Sequence, residues 1–315
     1  MAAHSTPPQV ESETFGGVVR SAIPGRVVVL CDDGSETACL VPKRVSAAIG
    51  GKVVVGDRVR WQRATGSDGT IVEVLPRRTT LARRSPGHKG GELVMAANLD
   101  LLLAVFAAAE PEPRWGMLDR FLVIAESAKI SPLIVVTKIE IGDRAAIARE
   151  LERYHAVGYQ SQLVSTRTGE GMDELRARLA GKVSALSGKS GVGKTTLFNA
   201  LLPGASERTG EVSQMTGKGK HTTSASMLWP LEKPLGGALI DTPGVRELGL
   251  WEIDPLDLSS CLPEIRPLLG QCRFAGSCTH SHEVGCAVKS AVEAGAIHPK
   301  RYEAYLRMLR GDEVE

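Results

Sequence analysis

The segment Gly188-Lys189-Ser190-Gly191-Val192-Gly193-Lys194-Thr195 constrains this chain more than any other stretch. An apolar run from Lys182 to Ser187 leads into it, and Thr196-Leu197-Phe198-Asn199-Ala200-Leu201-Leu202 follows as a helix start. Strand, glycine-rich turn and helix in that order form the context in which such a segment cradles phosphate. Gly188, Gly191 and Gly193 let the backbone bend until its N–H groups face phosphate oxygens, and the dipole of the following helix adds attraction. Lys194 is placed to reach the β- and γ-phosphates and the Thr195 hydroxyl to coordinate Mg²⁺. Residues 188–196 are therefore the candidate phosphate-binding set.

A second piece of the same site lies downstream. Asp241-Thr242-Pro243-Gly244 ends the apolar run Ala238-Leu239-Ile240. A carboxylate at a strand end can hold Mg²⁺ through water, while the Gly244 N–H can contact a γ-phosphate. Between the two, Gly219-Lys220-His221-Thr222-Thr223 sits in a polar, glycine-rich stretch suited to a switch. Either Thr222 or Thr223 could bind Mg²⁺ through its hydroxyl there.

The base-reading candidate precedes the phosphate loop, whereas in an ordinary GTPase it follows. Thr137-Lys138-Ile139-Glu140 comes directly after Leu133-Ile134-Val135-Val136. It stands where a GTPase carries Asn-Lys-x-Asp, keeping the lysine and a carboxylate but replacing both defining residues. Ser165-Thr166-Arg167 would set backbone N–H groups near the guanine oxygen. This order suggests a circularly permuted G domain.

The rest of the chain divides into regions by rhythm. With 315 residues there is room for two or three domains, and a hydrophobic share of 43% supports a buried core. Residues 1–13 are polar and expected to be disordered, with no secretory signal. Residues 14–82 carry short β-like runs, among them Gly17-Val18-Val19, Arg26 to Leu30 and Asp57 to Trp61, separated by turn signals such as Asp32-Asp33-Gly34. They predict a small barrel, with the OB-fold as the expected member. In 92–251, apolar runs (Leu99–Phe106, Pro132–Val136, Lys182–Ser187, Ala238–Asp241) alternate with helical patterns such as Met117 to Ala128 and Ala145 to Leu151. That alternation predicts an α/β domain with a mainly parallel sheet. Residues 252–315 hold a cysteine–histidine cluster and end in an amphipathic helix carrying Tyr302, Tyr305, Leu306 and Leu309. The most apolar stretch is too short to span a bilayer, so a soluble, cytoplasmic protein is expected.

Taken together, these residues resemble the ribosome small-subunit-dependent GTPase A family (RsgA, also called YjeQ), bacterial circularly permuted GTPases. The resemblance runs from about Thr14 to Leu309 and includes Leu118-Asp119-Arg120-Phe121-Leu122-Val123, Thr168-Gly169-Glu170-Gly171, Gly219–Thr223, Asp241–Leu250 and the cysteine cluster. It implies an OB-fold, a permuted GTPase domain and a C-terminal zinc-binding domain. It also implies GTP hydrolysis stimulated by the small (30S) ribosomal subunit and a role in late maturation of that subunit. The pair Thr137/Glu140 and one extra residue in the first cysteine spacing depart from the family pattern.

The cluster reads Cys272-x5-Cys278-x-His280-x5-Cys286. Three thiolates and an imidazole fill a tetrahedral Zn²⁺ shell and leave no open position, which marks a structural site. His282 could stand in for His280, and the family pattern favours His280. Cys31, Cys39 and Cys261 are expected to be small apolar residues, not disulfide partners.

Catalysis is expected to rest on Lys194, Mg²⁺ held by Thr195, Asp241 and a switch threonine, and backbone N–H groups. Val245 follows Gly244 where Ras-like enzymes carry a water-orienting glutamine soon after, so intrinsic turnover is expected to be slow. His221 is the candidate for positioning the water, with contact to RNA as its alternative. Expected partners are GTP or GDP and the small subunit with its rRNA, no membrane, and a monomeric chain. The barrel, the run Arg77, Arg78, Arg83, Arg84 and Lys89, and the tail residues Arg273, Lys289, Lys300 and Arg301 are candidate phosphate contacts. Aromatic residues make up only 4% of the chain, which favours shape and phosphate recognition over base stacking.

Overall fold

Period-two alternation turns the first region into a closed barrel. A computed structural model describes residues 13–23, 25–64, 68–84, 92–204, 226–241, 253 and 255–312. Strands β1 (Thr14–Ile23), β2 (Arg26–Cys31), β3 (Glu36–Leu40), β4 (Arg58–Arg63) and β5 (Gly69–Val74) pair in the order β1-β2-β3-β5-β4. β1 closes the ring by pairing with β2 along one part and with β4 along another, helped by a register shift between Val19 and Ser21. Helix α1 (Lys43–Ala48) lies between β3 and β4 in the chain, as an OB-fold requires. Val19, Val27, Val29, Cys39, Val59, Trp61 and Ile71 point inward and form the barrel core. Gly69 is needed at the parallel β3–β5 closure, because a Cβ there would stand 2.7 Å from the Trp61 ring and 2.8 Å from Cys39 Sγ. Burial pushes the Cys39 thiol up to about 12, which suits its expected role as an inert apolar residue.

The second region is an open sheet with helices on both faces. β8 (Leu101–Ala107), β9 (Ser131–Thr137), β10 (Gln160–Leu163), β11 (Val183–Ser187) and β13 (Ala238–Asp241) run parallel, and β12 (Met227–Pro230) pairs antiparallel to β13. Their order in space is β10-β9-β8-β11-β13-β12. Leu101, Leu103 and Val105 of β8 face Leu175, Leu179, Leu197 and Leu201, which belong to α4 (Met172–Leu179) and α5 (Lys194–Leu201). The intervening Leu102 and Ala104 face Leu118, Leu122, Ile147 and Leu151 of α2 (Trp115–Ser127) and α3 (Arg144–His155). Burial on both faces explains why these strands read as unbroken apolar runs. The strand that feeds the glycine-rich loop is central, and the three strands on one side of it precede it in the chain.

Two joints tie the barrel to the sheet. Ser21 of β1 pairs with Met227 of β12, so barrel and sheet share one hydrogen-bonded ladder. Arg20 pairs with Glu36 and lies over the Trp229 ring at 5.4 Å. At the second joint, Asp57, fully buried, accepts from Arg77 Nε at 2.7 Å, from Arg77 Nη2 at 2.9 Å and from the Val54 N–H at 2.8 Å. The chain then forms an antiparallel hairpin of β6 (Thr80–Arg84) and β7 (Glu92–Ala97). Within the basic run the side chains of Arg83 and Arg84 lie outside the described residues. Arg77 is consumed by Asp57, Arg78 pairs with Asp100 at 3.0 Å but stays largely exposed, and Lys89 lies outside the described residues.

The C-terminal region packs Leu258, Leu262, Ile265, Val288, Ile297, Tyr305 and Met308 around Val123 of α2. Its last helix, Pro299–Arg310, starts at His298, whose side chain accepts from the Lys300 N–H, and stops at Gly311 with φ 72°. Arg301 of that helix is only 1% exposed. It donates to Asp119 on α2 and, through Nε at 2.7 Å, to Glu264, while its guanidinium lies 5.3 Å from the Tyr154 ring. This corrects the expectation that Arg301 meets RNA: two buried carboxylates require its charge where it is. Lys300, by contrast, stays exposed while pairing with Glu150 at 2.7 Å. Among the described residues no helix is long and apolar enough to cross a membrane.

Removing one member of a buried charge network strands the others without compensation. Arg301→Ala is expected to lower stability by about 3–5 kcal/mol, read as a lower urea midpoint. An unchanged midpoint would show that Asp119 and Glu264 find other cover.

Candidate functional site

Parallel pairing sets the loops after β8, β9, β11 and β13 at one edge of the sheet, the edge where open α/β folds bind ligands. Ser187 pairs with Ala104 and Ala107 with Thr137, so β11 and β9 end on either side of β8. Gly188 follows β11 directly, and a Cβ on it would stand 2.1 Å from the Val105 carbonyl oxygen. The bend is completed at Gly191 (φ 82°) and Gly193 (φ 90°), the latter capping α5 in the left-handed conformation. Both need glycine. Lys194 folds back over the loop and donates to the carbonyls of Gly188 and Lys189. Residues 188–196 thus form a turn of backbone at a helix N-terminus, with an ammonium group across its mouth.

Thr137 ends β9 and is 2% exposed. Its Oγ1 donates to the Val192 carbonyl at 2.6 Å. Lys138 follows with φ 57°, a left-handed value, and its side chain lies across the glycine-rich loop, where Nζ donates to the Gly191 carbonyl at 3.0 Å and to the Glu110 carbonyl. Ile139 plugs into the core, leaving Glu140 at the turn. The Ser165 hydroxyl beside it, helped by Arg167 and Lys138, holds the Glu140 carboxyl below the usual range, so it is ionised. Its Oε2 is buried without a hydrogen-bond partner in the structure described.

The loop 165–170 follows β10 and is closed on itself. The Ser165 N–H donates to the Glu170 carbonyl, the Gly169 N–H to the Ser165 carbonyl, and the Thr168 N–H to Ser165 Oγ. Glu170 forms a two-pronged pair with Arg144 at the start of α3, both contacts at 2.6 Å. That pair ties the 165–170 loop to the N-terminus of α3. Sequence reasoning had no signal for Arg144, since it depends on two loops meeting in space. Asp241 ends β13, in parallel with β11. His221, Thr222, Thr223 and Gly244 lie outside the described residues.

A second constellation lies in the C-terminal region. The ligand atoms of Cys272, Cys278, His280 and Cys286 all fall within 4.8 Å of one another. Cys272 Sγ is 3.4 Å from His280 Nδ1 and 3.8 Å from Cys286 Sγ, and Cys286 Sγ is 3.5 Å from His280 Nδ1. The Ala287 N–H points at Cys272 Sγ at 3.4 Å. Burial and the neighbouring sulfurs push the Cys278 thiol up to about 12, a crowding that a cation would relieve. Tyr302 and Tyr305 hydroxyls, each at 2.7 Å, hold the carbonyls of His280 and Thr279. Burial opposes ionisation of Glu283, but bonds from Thr279 and the Ser281 N–H hold it far below the usual range. His280 is buried in the cluster, whereas His282 is exposed. The cluster can hold a metal ion.

Comparison with known proteins gives a consistent picture. The sequence model of a family described as RsgA GTPase matches residues 74–251. The small ribosomal subunit biogenesis GTPase RsgA of Gemmatimonas aurantiaca is 46% identical over 296 residues, 93% of this chain and 95% of that protein. RsgA of Pseudomonas aeruginosa is 42% identical over 287 residues, covering 90% and 81% respectively. The crystal structure of YjeQ from Thermotoga maritima superposes with a TM-score of 0.77 at 31% identity, over 95% of this chain and 98% of the other. That of YloQ, a circularly permuted GTPase, gives 0.73 at 27% identity, over 97% of each chain.

If the cluster is closed around a metal, chelation is expected to release it and open the 272–286 loop, because binding energy at such a site is folding energy. Thiol reactivity toward a chromogenic reagent should then rise. Equal reactivity before and after chelation would refute a closed site.

Proposed function

The chain belongs to the RsgA GTPase family, and from that premise we propose a nucleotide-driven cycle on the small ribosomal subunit. It is a GTP-hydrolysing enzyme of small-subunit biogenesis. We infer that the 30S particle stimulates its turnover and that it acts late in maturation of that particle. The observation that carries the reading is spatial. The glycine-rich loop after β11 and the 137–140 segment after β9 meet at one sheet edge although they lie in reversed order along the chain.

In this proposal GTP lies with its phosphates on residues 188–196 and its base against Lys138, Glu140 and the 165–167 loop, with Thr137 in the same wall. The ionised carboxyl of Glu140, whose Oε2 is buried and unpartnered in the structure described, suits the two N–H donors of guanine. Adenine offers no such pair. Lys194 exchanges two backbone carbonyls for phosphate oxygens and stabilises the charge that develops on them. Thr195, Asp241 and one of Thr222 or Thr223 would hold Mg²⁺, which when bound neutralises charge on the β- and γ-phosphates. His221 positions the attacking water once the ribosome is engaged. Its test is the variant His221→Ala.

We assign the C-terminal metal as zinc. Around a tetrahedral Zn²⁺ two thiolate sulfurs stand roughly 3.8 Å apart and a sulfur and an imidazole nitrogen roughly 3.6 Å apart. These spacings are supported by 3.8 Å between Cys272 and Cys286 and by 3.4 and 3.5 Å for His280 with Cys272 and Cys286. RNA contact falls to the barrel and to exposed residues such as Arg273, since Arg77 and Arg301 are occupied by carboxylates. The chain would act as a monomer in the cytoplasm, where ribosomal subunits are assembled.

Phosphate release from GTP, measured with and without purified 30S subunits, tests the reading directly. A strong rise with subunits is expected, and Lys194→Ala should lower turnover by about 10²-fold or more. His221→Ala should lose the stimulated component while still binding nucleotide. Equal competition by ATP and GTP would overturn the guanine assignment. Affinity for the subunit should fall steeply with salt; a flat response would exclude a phosphate-dominated interface.

A further inference from the structure

His280 is the one member of the cysteine–histidine cluster whose backbone is left-handed, at φ 57°. A residue with a side chain enters that conformation at a cost unless its surroundings impose it. The surroundings do so here, group by group. The Thr279 carbonyl accepts from the Tyr305 hydroxyl at 2.7 Å, and the His280 N–H of the same peptide is bonded to the Cys278 sulfur. In the next peptide the His280 carbonyl accepts from the Tyr302 hydroxyl at 2.7 Å, and the Ser281 N–H donates to Glu283 Oε2 at 2.9 Å. Both planar peptides beside His280 are therefore held at both ends, which leaves them no freedom to rotate.

Glu283 has the larger share of this work. Its Oε1 also accepts from the Thr279 N–H at 2.7 Å and from Thr279 Oγ1 at 2.6 Å, and its Oε2 accepts from the His282 N–H at 3.2 Å. One carboxylate thus gathers every N–H of the 279–282 turn except that of His280, which is turned toward sulfur. The imidazole is left with Nδ1 at 3.4 Å from Cys272 Sγ and 3.5 Å from Cys286 Sγ. The tyrosines belong to a different part of the fold. Both lie on the last helix, Pro299–Arg310, whose Arg301 donates to Asp119 of α2 and to Glu264. Arg301 and Tyr305 are one helical turn apart, so one stretch of helix holds α2 through a guanidinium and the ligand-bearing turn through two phenols.

We propose that Glu283, Tyr302 and Tyr305 are positioning residues of the metal centre, setting His280 toward its sulfur partners, and that the two tyrosines link occupancy of the centre to the seating of the last helix on α2. Such a link acts both ways: metal binding steadies the helix, and the docked helix strengthens metal binding by the same factor. The assignment rests on the reading of Cys272, Cys278, His280 and Cys286 as a metal site.

Cobalt(II) is a suitable probe, because a tetrahedral shell of thiolates and imidazole gives it visible absorption bands. The full-length protein is loaded with Co²⁺, its spectrum is recorded, and retention is measured by competition with a chelator. Wild type is compared with Glu283→Gln and with the double variant Tyr302→Phe/Tyr305→Phe. Glutamine offers one acceptor oxygen and turns an NH₂ toward the other N–H groups. Glu283→Gln should weaken Co²⁺ binding about 10- to 100-fold and shift the bands as the imidazole leaves its place. The double variant should weaken it about 30-fold, for two neutral hydrogen bonds. If that protein does not fold, Tyr302→Phe alone, at a half-buried ring, should lose about fivefold. Hydrogen exchange along Pro299–Arg310 of the wild type should rise when the metal is chelated. Unshifted bands in Glu283→Gln, whatever its retention, would overturn the positioning role. Wild-type retention in the phenylalanine variant, or unchanged protection of the last helix after chelation, would overturn the link. Wild-type protein that retains no Co²⁺ would overturn the metal centre itself.

Discussion

Parallel hydrogen bonding of β8 to both β9 and β11 is the constraint on which the site depends. Because Ala104 pairs with Ser187 and Ala107 with Thr137, the ends of three strands come to the same edge. The phosphate loop leaves one strand, and the base-side segment leaves another. Side chains then have only short gaps to bridge, which the Thr137 hydroxyl and the Lys138 ammonium do at 2.6 and 3.0 Å. A register slip of one residue along β8 would exchange the side chains packed on its two covered faces and draw these groups apart.

Chain order is secondary to that geometry. The sheet needs each strand in its slot with its apolar faces covered, and the connections need only be long enough to reach. Placing β8, β9 and β10 before β11 leaves the same neighbours in contact while moving the chain ends. The C-terminal region then packs against α2 through Val123 and through the Arg301 network, on the opposite face of the sheet from α5. Charge burial makes that docking specific, since Asp119 and Glu264 tolerate burial only while the guanidinium stays.

Much of this was legible in the sequence wherever the signal is local. The glycine pattern of 188–195 dictates its own backbone, and the strand runs through Val135, Leu103 and Ile240 announce burial on two faces. The cysteine spacing likewise brought four ligand atoms together. Charge was the weak point. Arg77 and Arg301 read as free cations because their partners, Asp57 and the pair Asp119 and Glu264, lie 20, 182 and 37 residues away in the chain. Arg144 escaped notice for the same reason, being defined by Glu170 across a loop. The hairpin of β6 and β7 was hidden in a basic, turn-rich stretch whose polarity suggested surface. A charge can be counted from sequence, but its availability depends on what the fold places against it.

The pairing that joins β1 to β12 makes the barrel and the sheet one hydrogen-bonded structure. β12 lies between the barrel and β13, the strand that ends at Asp241. Ser21 and Met227 are backbone partners across the joint, and Arg20 spans it, pairing with Glu36 of β3 while its guanidinium lies over the Trp229 ring of β12. The barrel is thereby less a bead beside the enzyme than an extension of its sheet. Asp241 is thus linked to both outer regions, by chain continuity to the cysteine-bearing tail and by strand pairing through β12 to the barrel. The N-terminal barrel is held by β12 and the C-terminal region follows β13, so both attach to neighbouring strands of one sheet.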